Sequence, residues 1–385
     1  MPIEIQKITE PHRDKDFLTF PWRLYRDDPL WVPPVLADVK KRVDPDNGDF
    51  YQRGQADFFI ARRSGEVVGR ICAAEDRQTN EFRGRRDCMF GFFEWVNDPE
   101  VANALLETAE AWGRRRNLDN LLGPYHLDYE DSYGVLVEGR DRPPVVLCGH
   151  TPPYYLDFFE SNGFTPARGD ALAYQISLEE SESMARLIRL GEYTAGRSEI
   201  SLRSADLANW RHEAGLVYGL INRALAHLEN FIPWPEAALY RTFETFLEVA
   251  DPELILFAEA DGELVGWLPG VPNINEVLIH ANGLRRPWDY ARAWWHSRQQ
   301  PDCLALKSVL VLRQYWDVGV PVLLFAEMAR RARQKGYKWV DNSLTAADNP
   351  TTPILAKHMG ATIYKRYRVY ERPIEQGEEP AAIPS

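Results

Sequence analysis

The sequence is poor in the residues that staple, coordinate or span. Its four cysteines, Cys72, Cys88, Cys148 and Cys303, are widely scattered and form no CxxC pair, which excludes a disulfide framework and a zinc knuckle and suits buried thiols in a reducing compartment. No apolar run approaches the ~20 residues that cross a bilayer. The opening stretch MPIEIQKITEPHRDKDF has no apolar core of an export signal, so a cytoplasmic location is expected. Basic residues are outnumbered, giving a net charge of −12. That argues against a nucleic-acid partner. There is no GxxxxGK[ST] loop, no Gly-x-Ser-x-Gly elbow and no HExxH pair, since His212-Glu213 lacks its second histidine. P-loop hydrolysis, elbow serine chemistry and a metal site are therefore not expected.

What is present is an ordinary globular composition, 45% hydrophobic and 26% charged over 385 residues, enough for two domains at about 150 residues each. Aromatics are plentiful, with 12 Trp and 17 Tyr. They serve either core packing or a pocket for a large apolar ligand.

One unit occurs twice. Phe58-Phe-Ile-Ala-Arg-Arg-Ser-Gly-Glu-Val-Val-Gly69 parallels Leu254-Ile-Leu-Phe-Ala-Glu-Ala-Asp-Gly-Glu-Leu-Val-Gly266, each a hairpin turning on Ser-Gly or Asp-Gly. Strands Met89–Val96 and Ala305–Leu312 follow, leading into helices Glu100–Arg116 and Gly319–Lys335 with apolar residues on one face. Further strands are expected at Leu118–Gly123 and Tyr337–Asp341. Helices Tyr154–Gly163 and Thr351–Gly360 come next, then closing strands Ala171–Ile176 and Thr362–Tyr370. The order predicts an α/β (α+β) fold of two domains, each a mixed, mostly antiparallel sheet flanked by helices. The expected bounds are 1–180 and 198–372, with a charged connector at 181–197 and a disordered tail at 373–385.

This order, with strand–loop–helix followed by Asn-x(10)-Gly, resembles the GNAT acyltransferase superfamily. The whole chain resembles the bacterial two-domain GNAT-like proteins, through Phe20-Pro-Trp-Arg-Leu-Tyr-Arg-Asp-Asp-Pro-Leu-Trp-Val-Pro-Pro34, Phe90-Gly-Phe-Phe-Glu94, Gly123-Pro124, Pro152-Pro-Tyr-Tyr155 and Tyr364-Lys-Arg-Tyr-Arg-Val-Tyr-Glu371. The resemblance implies that acetyl-CoA or a longer acyl-CoA is the donor. It places pantetheine on the strand before the main helix and pyrophosphate on the loop after it. A glycine-bearing helix start is a ready anion site in any case. In the second half that loop is Val311, Leu312, Arg313, Trp316, Val318, Gly319 and Val320, with Trp316 where Arg or Gln is usual and Pro321 where Gly or Ala is usual. The loop Trp95-Val-Asn-Asp-Pro-Glu-Val-Ala102 of the first half is short, acidic and without glycine, so the first domain is expected to have lost CoA. Asn349 keeps the pantetheine position, eleven residues before Gly360. Ala356 and Phe159 replace the general-acid Tyr, and Pro152 replaces the Asn of the first half.

For acid–base work the candidates are Glu94, His126 and Asp348. Glu94 lies on a strand face that alternation shares with Phe90 and Phe92, and burial there would raise its pKa. His126 belongs to the polar loop Tyr125–Tyr133. Tyr125, Tyr129, Glu130, Tyr154 and Tyr155 are the acceptor-binding candidates, with His150 beside them. The insertion Gly283–Gln300 interleaves Arg285, Arg286, Arg292 and Arg298 with Trp288, Tyr290, Trp294 and Trp295, and Trp288, Ala291 and Trp295 share a helical face. It reads as a membrane-surface helix at 283–300, as a lid over a long-chain ligand, or as a packed helix. The resemblance implies acyl transfer to an amine by direct attack in a ternary complex, and the aromatic richness favours a bulky or lipid-like acceptor, as in bacterial ceramide synthesis. The alternative is a catalytically inactive tandem protein that binds a ligand or partner. An aminoacyl-tRNA-dependent transferase is disfavoured by the charge.

Overall fold

Two hairpins of the same build carry the two sheets of the protein. A computed structural model describes residues 1–226, 236–247, 249–348, 356 and 360–375. The first hairpin pairs Gly54–Arg63 with Glu66–Asp76, the second Ile255–Ala260 with Glu263–Pro272. Their turns place Ser64 and Gly65, and Asp261 and Gly262, at φ values of 54°, 82°, 52° and 79°, the paired left-handed geometry that matches strand twist. Each carries a register shift at the corresponding place, after Ala61 and after Ala258.

Among the described residues the chain forms two units. One holds residues 1–171, 275–298 and 365–375, the other 172–274 and 299–364. The sheet of the first unit runs, in spatial order, Ile3–Ile8, Gly54–Arg63, Glu66–Asp76, Asp87–Trp95, Asn120–Gly123, Tyr370–Pro373 and Thr165–Pro166. All neighbours are antiparallel except Asp87–Trp95 with Asn120–Gly123. Helix Pro99–Arg114, capped by the Asp98 side chain, buries Val101, Leu105, Leu106, Ala109 and Trp112 against Phe90, Phe93 and Trp95. Burying Val101, Leu105 or Leu106 is worth roughly 1.5–3 kcal/mol each.

In the second unit the order is Ala171–Ser177, Trp339–Ala346, Cys303–Leu306, Glu263–Pro272, Ile255–Ala260 and Ile200–Ser204, with Leu310–Val311 also paired to Glu263–Pro272. The charged stretch at 181–197 is a helix, Glu182–Ala195, begun by Ser181 accepting from the Met184 N–H at 3.1 Å. Its Met184, Leu187 and Gly191 form a buried seam within the polar sequence. Gly191 rests on Ala326 of helix Val320–Gln334, leaving no room for a Cβ.

The closing strands depart from the expected order, and Thr362–Tyr370 is not one strand: Thr362–Arg368 lies beside Ala171–Ser177, apart from the Tyr370–Pro373 strand that follows it. Ala171–Ser177, at the end of the first half, lies in the sheet of the second unit. Tyr370–Pro373, at the end of the second half, pairs with Asn120–Gly123 and Thr165–Pro166 in the first. Strand propensity marks a segment as extended without naming its partner, so the repeat order alone assigns each closing strand to its own half. The expected helix Thr351–Gly360 falls largely outside the described residues.

Candidate functional site

The strand before the main helix bulges at the same place in both units. In the first, Cys72 pairs with Gly91 but Arg70 with Glu94, one residue out of register, and Phe92 takes φ 44°. In the second, Gly270 pairs with Leu306 but Trp267 with Leu310. Such a bulge re-aims side chains. Phe90 therefore parts from Phe92 and Glu94 instead of sharing their face. It packs with Phe93 and Trp95 in the helix-side core, while Phe92 meets Phe17 and Phe58.

The first unit closes this bulge with its own chain. Residue Tyr125 stays on the strand, its N–H donating to the Phe90 carbonyl at 2.8 Å, and its own carbonyl leaves no room for a Cβ on Gly91. The Phe92 N–H donates to His126 Nδ1 at 2.9 Å. Burial, followed by the charges of Arg42 and Arg70, pushes His126 down to about 3. The ring is thus neutral near pH 7, and the lone pair a base would use on Nδ1 is engaged.

Glu94 is not alone among apolar groups. The Arg70 guanidinium binds its carboxylate, donates to the Phe17 carbonyl at 2.7 Å and lies 4.9 and 5.3 Å from the Phe17 and Phe92 ring centres. Nearby, Tyr154 donates to the Trp95 carbonyl and Tyr155 stacks on Trp95 at 3.8 Å. Tyr154 also lines a cleft of about 400 Å³ with Phe20, Tyr25, Asp28, Asn97 and Pro152. Here His150 Nε2 meets Asp28 at 2.7 Å. Tyr125, Tyr129 and Tyr133 form a ring cluster of their own. Glu130 is an exposed residue, yet burial of its carboxyl and then the charge of Asp128 push it up to about 7, and Asp131 pairs with Arg42 at 2.6 Å. Tyr125 and Tyr129 thus fall apart from Glu94, Tyr154 and Tyr155, while the His126 ring packs edge-on against Phe92 at 5.0 Å.

In the second unit the residues expected to hold the donor are contiguous. Strand Leu310–Val311 ends in a single turn at Arg313–Tyr315, and Gly319, at φ 88°, caps the helix Val320–Gln334. The left-handed cap needs glycine, and a Cβ would lie 2.8 Å from Thr194. Val311, Leu312 and Val320 are buried, whereas Arg313, Trp316 and Val318 are exposed. Trp316 Nε1 folds back to donate to the Val311 carbonyl at 2.9 Å. Pro321 sits in the first helical turn, where its missing N–H breaks no helix bond. Asp348 is exposed, beyond the end of strand Trp339–Ala346, and Asn349 lies outside the described residues.

Sequence reasoning overlooked a buried polar network in this unit. Lys307 Nζ lies 2.8 Å from Asp341 Oδ2, and the Tyr364 hydroxyl donates to Asp341 Oδ1 at 2.7 Å. Asp341 is fully buried. The common register aligns Lys307 with Gly91 and Asp341 with Leu122, so the first unit has no charge at these places. The signal was there, a lone Lys in Ala305–Leu312 and an Asp after Trp339-Val340.

The comparisons with known proteins follow the same division. Residues 221–360 match the Acetyltransferase (GNAT) family. The tandem GNAT protein from the clavulanic acid biosynthesis pathway shares the fold at a TM-score of 0.60, over 98% of this chain and 100% of that one, at 15% identity. The chain as a whole thus has the tandem GNAT fold, and its second half carries the GNAT family match. This chain is also 28% identical, over 376 residues, to the bacterial ceramide synthase of Caulobacter vibrioides, covering 96% of this chain and 97% of that one. It is 28% identical to protein YghO of Escherichia coli over 371 residues, 94% of this chain and 93% of YghO. The family match falls on the half of this chain that keeps the long loop and Gly319.

Proposed function

We propose that this tandem GNAT-like protein transfers an acyl group from acyl-CoA to the amine of a long-chain, lipid-like acceptor, with the donor held by the second unit. The observation that carries the donor assignment is Gly319, in a left-handed conformation at the head of a 15-residue helix behind an open loop. Backbone N–H groups of a first turn have no partner within their helix and attract phosphate. The exposed Arg313 adds a counter-charge. The first unit goes from Trp95 to its capping Asp98 in a few residues, and Arg63 holds the Asp98 and Glu100 carboxylates at that helix start. A pyrophosphate there would face two acids. The acceptor class is supported by the name of the Caulobacter relative, bacterial ceramide synthase, and by alignment over nearly the whole of both chains.

In this reading the acceptor nitrogen attacks the thioester carbon, the C–N bond forms as C–S breaks, and CoA leaves as a thiolate. The nitrogen's proton goes to the Lys307–Asp341–Tyr364 network, Tyr364 passing its hydroxyl proton to Asp341 as it receives the new one. A buried ion pair is costly beside apolar packing unless it has work to do. A thiolate leaves without help, which fits the loss of the usual hydroxyl at Ala356, buried against Leu172 and Tyr174. The same loss favours the second reading, a protein that binds without turnover.

Incubation with acetyl-CoA or a long-chain acyl-CoA and a panel of long-chain amines, read by mass spectrometry and by release of free thiol, tests both readings. An N-acylated product with stoichiometric thiol is expected. Stabilisation by CoA without product from any amine would support the binding reading instead, and no stabilisation by any CoA species would sink the donor assignment. A ligand at 100 times its Kd adds about 2.7 kcal/mol, which a melting curve resolves.

A further inference from the structure

The helix Pro287–His296 is built inside out. Asp289, Ala293 and His296, spaced four and three apart, line one side, and that polar side is the one turned inward: Asp289 is fully buried and the other two are partly buried. The Asp289 carboxylate accepts from the Arg286 N–H at 3.0 Å and from Asn282 Nδ2 at 3.4 Å, closing the helix start. His296 stacks on His280 at 3.9 Å. The segment is tied to the first unit by the Trp22 Nε1–Asn282 carbonyl bond, by Arg285 over the Trp22 ring at 4.7 Å, and by Gly283, which fits tightly under Pro34.

The outward side is aromatic. Trp288, Tyr290, Trp294 and Trp295 are 53%, 56%, 59% and 62% exposed. A helix on a water-facing surface buries its apolar stripe and shows its polar one. Here the order is reversed. Arg286 lies over Trp288 at 5.3 Å and Arg298 over Trp294 at 4.0 Å, with Arg292 exposed between them. The one acid of the helix is hidden, so the exposed face carries only aromatic rings and positive charge, in a chain whose net charge is −12.

We propose that this helix docks the protein on an anionic phospholipid surface. Indole and phenol rings prefer the boundary between headgroup and acyl chain, and guanidinium groups match lipid phosphates. A second copy fits poorly, because it would bring arginines against arginines. No described helix is long and apolar enough to cross a membrane, so the contact is peripheral. The inference stands apart from acyl transfer, and its test uses no turnover.

The full chain is sedimented with vesicles of phosphatidylcholine alone and of phosphatidylcholine mixed with phosphatidylglycerol, with tryptophan emission read in parallel. Binding to the anionic vesicles, a blue-shifted emission and loss of binding at high salt are expected. Trp294→Ser with Trp295→Ser should lower the binding constant at least about tenfold, and Arg292→Gln with Arg298→Gln about fivefold per arginine. Both pairs are exposed, and unchanged melting curves would confirm that each variant folds. Failure to bind anionic vesicles, equal binding to neutral ones, or binding that survives both double substitutions would overturn the proposal. So would a dimer that the tryptophan substitutions dissolve, which would give the face to a second copy.

Discussion

Arg70 and Glu94 face each other across adjacent strands of the first unit, and Trp267 and Leu310 occupy the same two positions in the second. One repeat thus fills a place beside its bulge with an ion pair and the other with apolar packing. Arg70 is 5% exposed and Glu94 12%, and Arg70 also binds the Phe17 carbonyl, so the pair holds helix Lys15–Leu24 to the sheet.

Removing one partner strands the other. Glu94→Ala should cost about 3–5 kcal/mol in chemical denaturation, as broken buried pairs do. Arg70→Trp with Glu94→Leu, which copies the second unit, should recover most of it. Equal losses in the single and double variants would show that the pair is not coupled.

The Lys307–Asp341–Tyr364 network separates chemistry from binding. Asp341→Asn should keep stabilisation by acyl-CoA yet lower turnover about 10²–10⁴-fold, the range of lost proton-transfer catalysis. Tyr364→Phe, which breaks the relay at its first step, should lower it by a similar factor. Turnover that stays at the wild-type level in both variants would remove the network from the reaction.

Gly319→Ala places a Cβ at φ 88° and against Thr194. Backbone strain of this kind costs of order 1–3 kcal/mol, and acyl-CoA should then raise the melting temperature far less than in the native protein. Asn97→Ala, at the short loop of the first unit, should leave that shift intact. The opposite pattern in melting curves would move the donor to the first unit.

Acid should weaken the first unit through His126. The unfolded ring takes its proton near pH 6.5, whereas the folded one resists until about 3. Between these values the unfolded chain binds more protons, so the stabilisation present above 6.5 is lost as pH falls, about 1.4 kcal/mol per pH unit. In His126→Gln this contribution to the pH slope should vanish. Urea unfolding at pH 7 and pH 5 makes the comparison.

Much of the fold was legible in the sequence, because it rests on local chemistry. Ser64-Gly65 and Asp261-Gly262 announce their hairpins, and spacing alone locates helices Pro99–Arg114 and Val320–Gln334. The loop ending in Gly319 was legible through the resemblance to GNAT proteins rather than through spacing. Three features were not legible. The extra residue at Phe92 flips a strand face, and no side-chain pattern marks where it is inserted. The seam Met184–Leu187–Gly191 is too sparse to stand out in a charged stretch. Lys307, Asp341 and Tyr364 are far apart in sequence, and only strand pairing gathers them.

The placement of the last strand also orders events during synthesis. Strand Tyr370–Pro373 lies between Asn120–Gly123 and Thr165–Pro166, so the first unit cannot complete its sheet while the ribosome is still making the second. A nascent chain stalled after the first half would present two unpaired strand edges, an invitation to stray pairing. The last described residues to emerge are thus the ones that seal the domain begun first.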